Sequence, residues 1–502
     1  MGDSPSAPSG SAQGEPSGRS WRGRSANDGL PSLRAAAARG LALVALILIL
    51  HPQPLPLAIP QAFRTAQDKT AQKEYDVAAA ALENAAARLP YDGYAAYRAG
   101  IAAISAQHFD AAIRHLLVSA AIEGWTPTKR IALGDAYLGR GDRVVALAQW
   151  ELARKDAPAS RDDGLLVRLA NNYEAVGRYP EAIAALSHLA DLRPTDPLVH
   201  YRLALLTAAA APADALARLT LVASLSTDLA PNTQSLAQAI EAGRASGDEA
   251  YTFGRVGFAF VQLKEWGLAE LALTRAVTLN TSYADAYAYL GLAQDMQGRD
   301  GLAAHEQAIA LAPQSPLAQY LAGLHWRRAG NSEKALPYLK QAQALDPQNP
   351  AIVAEMGGAY ASLNDLAQAE TWFTEAVRLA PQSPQFWLLL ARFYTDYEYN
   401  VAELGLPAAR MAAGLNPSSA LAADALGYAL VLTGDLVNGE KALERALSLD
   451  PNLPSLYYHL GILYAAQGKI TEAQAAFNHT LALDPQGPYG GLALKALAQI
   501  AP

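Results

Sequence analysis

The chain has 502 residues, 39 of them Lys or Arg against 47 Asp or Glu, for a formal charge of −8. An acidic chain of this kind is poorly suited to a nucleic-acid backbone. It has no cysteine, which excludes disulfides and thiolate metal sites and leaves the redox compartment open.

Taken from the N-terminus, 16 of the first 30 residues are Gly, Ser or Pro, too few apolar groups to offset chain entropy. Residues 1–31 therefore read as a disordered tail. Residues 32–51 follow as SLRAAAARGLALVALILILH, wholly apolar from Leu41 to Leu50 and long enough for a helix of about 20 residues to span a bilayer, with Arg34 and Arg39 snorkelling outward. Pro52, Pro54 and Pro56 then make 52–58 an extended spacer. A cleaved signal peptide is disfavoured because no pair of small non-proline residues at peptidase spacing lies between His51 and Gln72. A buried helix has no unmatched groove to receive it. A single-pass anchor is the favoured reading. Five arginines lie ahead of the apolar run that begins at Leu41, whereas Arg64, Lys69 and Lys73 beyond the span are mixed with acidic residues, which places the N-terminus in the cytoplasm and everything after the span outside it.

The remaining chain is periodic. Near its end, SLYYHLGILYAAQGKITEAQAAFNHTLALDP (455–485) reads as two amphipathic helices: Tyr457, Leu460, Gly461 and Tyr464 recur at helical steps, as do Ala473, Phe477 and Leu481 after the break at Gly468. Gly461 and Ala473 are small where two backbones would approach, and a hairpin this short needs neighbours to bury both sides. The small residue at Gly461 recurs at Ala66, Gly100, Gly134, Ala170, Ala204, Gly257, Gly291, Gly323, Gly357, Ala391 and Gly427, most steps being 34 residues. Prolines at 313, 347, 381, 417, 451 and 485 keep the same rhythm, which stops one helix and suits the start of the next. The order aromatic, Leu-Gly, Tyr, Ala, Phe, Pro at this period resembles the tetratricopeptide repeat (TPR) family over about 59–487. The resemblance implies an all-α solenoid of 11 to 12 helical hairpins wound as a right-handed superhelix, here following an N-terminal transmembrane helix.

Departures from the rhythm suggest the joints. Steps of 36 residues place short insertions near 160–164 and 396–400, while a 53-residue step places an irregular insert with an extra helix at 231–248. The expected organisation is thus a first block at 59–230, the insert, a second block at 249–487 and a capping helix within 488–502.

Catalytic motifs are not found. Gly468-Lys469-Ile470-Thr471 lacks the rest of a phosphate loop, His108 and His115 are seven apart with no His-Glu-x-x-His, and no segment outside the repeats is long enough for a catalytic domain. The chain is expected to be no enzyme and to use no cofactor, metal or small-molecule substrate. The resemblance implies instead a peptide-binding concave face lined by the first helix of each hairpin. The family's positions on that face fall here on Tyr94, Tyr97, Tyr201, Tyr251, Phe258, Tyr320, Leu324, Tyr428 and Tyr458, with Arg327, Arg328 and Arg392 as charged members and Asp285 and Asp295 opposing them one repeat earlier. Tyrosine offers large apolar area and a polar end at low entropy cost. The lysine and asparagine with which chaperone-type members hold a C-terminal carboxylate would fall, for example, on Val167 and Asn171, so only the asparagine is matched. The expected function is a non-catalytic scaffold for proteins or peptides, held to a membrane through residues 32–51. The alternatives are an exported soluble peptide binder and a subunit completing a partner's active site.

Overall fold

The computed structural model describes residues 58–158 and 162–500. The expected tail (1–31), the membrane helix (32–51) and the spacer up to residue 57 lie outside the described residues, as do residues 160 and 161 of the insertion near 160–164. Every described element is helical, and none of these helices is long and apolar enough to cross a membrane.

Two compact units divide between Asp156 and Ala157. The first holds three hairpins: α1 and α2 (Ala58–Ala71, Tyr75–Arg88), α3 and α4 (Gly93–Ser105, Phe109–Glu123), α5 and α6 (Pro127–Arg140, Arg143–Asp156). The second opens with α7 and α8 (Asp163–Ala175, Tyr179–Leu192), α9 and α10 (Pro197–Ala210, Pro212–Leu225), and the single helix α11 (Ala230–Ala245). Hairpins resume with α12 and α13 (Glu249–Gln262, Trp266–Leu279), α14 and α15 (Ala284–Met296, Leu302–Leu311), α16 and α17 (Pro316–Arg328, Ser332–Leu345), α18 and α19 (Pro350–Ser362, Leu366–Leu379). They end with α20 and α21 (Pro384–Asp396, Leu406–Leu415), α22 and α23 (Ala420–Leu432, Leu436–Leu449), α24 and α25 (Pro454–Ala466, Ile470–Leu483), and the closing α26 (Pro488–Ile500). The expected join at 231–248 is not where the units divide; α11 lies within the second unit and packs on both α10 and α12.

Local chemistry explains the boundaries. First helices begin on Asp92, Thr126, Asp196, Asp248, Ser315, Asn349 or Ser419, each of whose side chains accepts a backbone N–H of the opening turn. The periodic prolines lie in the turns after second helices; a different set, including Pro316, Pro350, Pro384 and Pro454, occupies the first helical turn. The core of each hairpin is a small residue on the first helix met by a bulky one on the second. A Cβ built on Gly100, Gly134, Gly323, Gly357 or Gly461 would fall 2.4–2.9 Å from Leu116, Trp150, Leu339, Phe373 or Phe477, respectively, so these side chains seat directly on the opposing helix backbone. The two extra residues near 396–400 are absorbed by a tight turn and a π-helical turn, Val401–Gly405, ahead of α21.

Candidate functional site

In the first unit Tyr94 is half-exposed and stacks on Phe63 with ring centroids 6.4 Å apart, its hydroxyl accepting a 2.9 Å hydrogen bond from Arg98 Nη1. Tyr97 packs beside Leu116 and Leu133, and burial pushes its hydroxyl pKa up. Both rings thus serve contacts along α3 and its neighbours.

In the second unit the aromatic residues of α12, α14 and α16 form a continuous seam. Tyr251 stacks on Tyr283 at 6.5 Å, and Phe258 meets Tyr289 at 4.9 Å. Tyr289 in turn shares an apolar cluster with Tyr320 and Leu324. Between the two ring pairs lies a cavity of about 250 Å³ that also takes in Arg255 and Asp285. Gly254 makes it possible, since a Cβ there would fall 2.5 Å from the Tyr283 ring. Burial, reinforced by Asp285, pushes the Tyr283 hydroxyl up to about 12, so it stays a neutral donor at ordinary pH. Arg255 Nε is buried and makes no hydrogen bond. A cavity walled by aromatic rings, with Arg255 and Asp285 in its lining, suits a large apolar side chain beside a polar group.

The other expected residues are placed differently. Tyr428 is 7% exposed and stacked on His459 at 3.9 Å, so it lies in the core rather than on a binding surface. Tyr458 is half-buried among Phe477, His459 and Tyr489. Tyr201 receives a long 3.5 Å hydrogen bond from Asn232 of α11. The charges are largely engaged within the fold: Arg327 pairs with Glu355 at 2.5 Å over Gly358, and Arg392 donates to the Tyr489 hydroxyl at 3.1 Å beside Asp396. Arg328 lines a second cavity, of about 450 Å³, with Asp295, Asp300 and His325. Asp295 is no free partner for a peptide, because His305, His325 and the Gly301 N–H all hydrogen-bond to its carboxylate. A larger polar cavity is crossed by ion pairs, Arg202 joining Glu174 and Glu265 while Arg299 joins Glu270.

Sequence reasoning missed two buried polar clusters. Asp424 accepts from Ser455 Oγ and pairs with His459 Nδ1, both at 2.7 Å. Asp295, His305 and His325 bring three metal-ligating atoms within 4.8 Å of one another, each residue coming from a different helix or helix end. Their only sequence signal is an imidazole at a core position of the hairpin, which the search for His-Glu-x-x-His passes over.

Residues 327–393 and 430–499 match a tetratricopeptide repeat family, and residues 297–350 match a second family of the same description. These segments are tetratricopeptide repeats. Among curated proteins none matches it in sequence. Solved structures similar to this TPR chain include yeast Tom70, at 17% identity over 81% of this chain and 94% of that one, with a TM-score of 0.36. A tetratricopeptide repeat protein from Parabacteroides merdae is 17% identical over 53% of this chain and 99% of its own, with a TM-score of 0.40. MamA from Desulfovibrio magneticus is 25% identical over 34% of this chain and 97% of its own, with a TM-score of 0.29.

Proposed function

We infer that the protein is a non-catalytic scaffold that binds protein or peptide segments on the face of its first helices, with its principal anchor pocket between α12 and α14. The observation that supports this is the cavity between the Tyr251–Tyr283 and Phe258–Tyr289 pairs, with Arg255 and Asp285 in its lining. Aromatic walls supply apolar contact at low entropy cost, and the Arg255 side chain in the lining gives the cavity a cationic side. The favoured ligand is an extended or helical segment carrying one large apolar side chain next to a carboxylate or carbonyl. Proximity labelling from the intact chain in its native membranes tests the reading. Partners captured by the wild type should be lost from a folded Phe258→Ala or Tyr251→Ala variant, with affinity for an isolated partner falling by about 1–3 kcal/mol. Equal capture by both variants would place binding elsewhere.

The scaffold is tethered through residues 32–51, N-terminus in the cytoplasm and repeats outside, a reading that rests on the arginine bias and on the apolar run from Leu41 to Leu50. A reporter active only outside the cytoplasm should work when fused after Pro502 and fail when fused after Leu30. The opposite pattern would overturn the topology.

A further inference from the structure

We propose that Asp295, His305 and His325 form a binding site for one divalent transition-metal ion of the zinc class. The argument starts from the hairpin core. Where Gly100, Gly257, Gly323, Gly357, Gly427 and Gly461 receive a Leu or Phe from the second helix, Gly291 receives His305, whose ring atoms would lie 2.7–2.8 Å from a Cβ at that glycine. The step from Gly291 to Gly323 is 32 residues rather than 34, and the second helix here, α15, has only 10 residues. The shortening brings His305 to the place an apolar side chain takes in the other hairpins. It is completely buried, and its Nδ1 makes no hydrogen bond. An imidazole in that position costs stability that Leu or Phe would supply; an ion on Nε2 offsets part of that cost, while Nδ1 then carries the ring proton without a protein partner.

The donor geometry suits such a ligand. His305 Nε2 lies 3.0 Å from Asp295 Oδ2, and His325 Nδ1 lies 2.9 Å from Asp295 Oδ1. Two donors bound tetrahedrally at zinc distances stand about 3.3 Å apart, and the three ligand atoms here lie within 4.8 Å of one another, so the wider separations must close by up to about 1.5 Å as the ion binds. Two imidazoles and one carboxylate form a borderline-soft set that selects zinc-class ions over magnesium or calcium. Supporting contacts are in place: the Gly301 N–H holds Asp295 Oδ1 at 2.9 Å, and Asp300 Oδ1 stands 3.8 Å from His325 Nε2, placed to accept its proton once Nδ1 binds metal. Asp295 and His325 open onto the cavity of about 450 Å³, which provides entry and room for a water as the remaining ligand. The Asp424 cluster offers one imidazole beside the carboxylate, one ligand fewer than the Asp295 cluster.

The test is zinc retention by the full-length chain after dialysis at pH 7.5, measured by elemental mass spectrometry, with cobalt as a spectroscopic substitute. One equivalent of zinc and the visible bands of four-coordinate cobalt are expected, together with a rise in melting temperature on adding zinc. His305→Leu restores the apolar side chain of the other hairpins, so it should fold with an equal or higher metal-free melting temperature while binding zinc at least tenfold more weakly. His325→Gln should lose the ion as well, and Asp300→Asn should weaken it less. No stoichiometric zinc on the wild type, or undiminished zinc on folded His305→Leu, would overturn the site and leave the cluster a hydrogen-bonded strut.

Discussion

Seven residues past every small first-helix residue except Ala204 the chain reverses through the left-handed region. Lys73, Gln107, Gly141, Gly177, Lys264, Gly298, Gly330, Asn364, Glu398, Gly434 and Gly468 all have positive φ. Left-handed backbone costs a residue with a Cβ about 1–2 kcal/mol, partly offset because glycine loses more freedom on folding. Gln107→Gly and Lys264→Gly should therefore each stabilise their unit by about 0.5–1 kcal/mol, read as a higher calorimetric midpoint. Gly434→Ala should destabilise by about 1 kcal/mol through the backbone alone, since a Cβ there would touch nothing within 4 Å. Tyr320 supplies a pH prediction at the same scale. Burial, with Glu355 adding to it, raises its pKa to about 12, so the folded state disfavours the phenolate. Its contribution to stability is complete below pH 10, the unfolded value, and is lost as pH rises through about 12. The melting temperature should fall across that window, and less steeply in Tyr320→Phe.

At the scale of the element, the pairing of a small residue with a bulky one sets how each hairpin closes. Ala66 already occupies the small position in the cluster that contains Leu82, so a methyl is accommodated where the opposing side chain is Leu. Gly323→Ala, facing Leu339, should thus be mild. Gly461→Ala faces the edge of the Phe477 ring at 2.4 Å, and that fully buried ring has little freedom to move; it should cost about 1–3 kcal/mol. Thermal unfolding of the two variants gives the comparison, and equal losses would show that the ring yields as readily as a leucine. These positions were legible in the sequence because a one-residue error in a 34-residue rhythm is visible when it recurs along the chain. The face of the first helices was legible only in part. Tyr251 and Phe258 were found because their offsets from Gly257 are family positions, but their ring partners Tyr283 and Tyr289 lie off those offsets and emerge only from how adjacent first helices pack. Tyr428 was misread for the same reason, since its stacking partner His459 sits a repeat away. The Asp295 cluster escaped notice because its three residues come together through the shortened α15, a change of register rather than a motif.

At the scale of the whole molecule, a solenoid's cooperativity is only as continuous as its nearest-neighbour interfaces. The 53-residue step at Gly257 suggests a weak point at 231–248, and protease would be expected to cut there first if α11 were loosely attached. Its packing argues the reverse. Leu236 and Ile240 are fully buried, Thr233 is 1% exposed, and the helix touches both α10 and α12. Gly243 brings the α11 and α12 backbones together so closely that a Cβ would fall 2.6 Å from the Thr252 Cα, a contact that no side-chain rotation can relieve. The next hairpin is also held independently of α11, through Arg202 on α9 paired with Glu265 just before α13. Limited proteolysis of the wild type should therefore spare 231–245, and hydrogen exchange at Leu236 and Ile240 should be as slow as at Leu268. Gly243→Val should detach α11, making that segment the first site of cleavage while Arg202 and Glu265 keep α9 and α13 together. Early cleavage within 231–245 of the wild type would show that close backbone packing does not make α11 part of the cooperative stack, and the second unit would then behave as two.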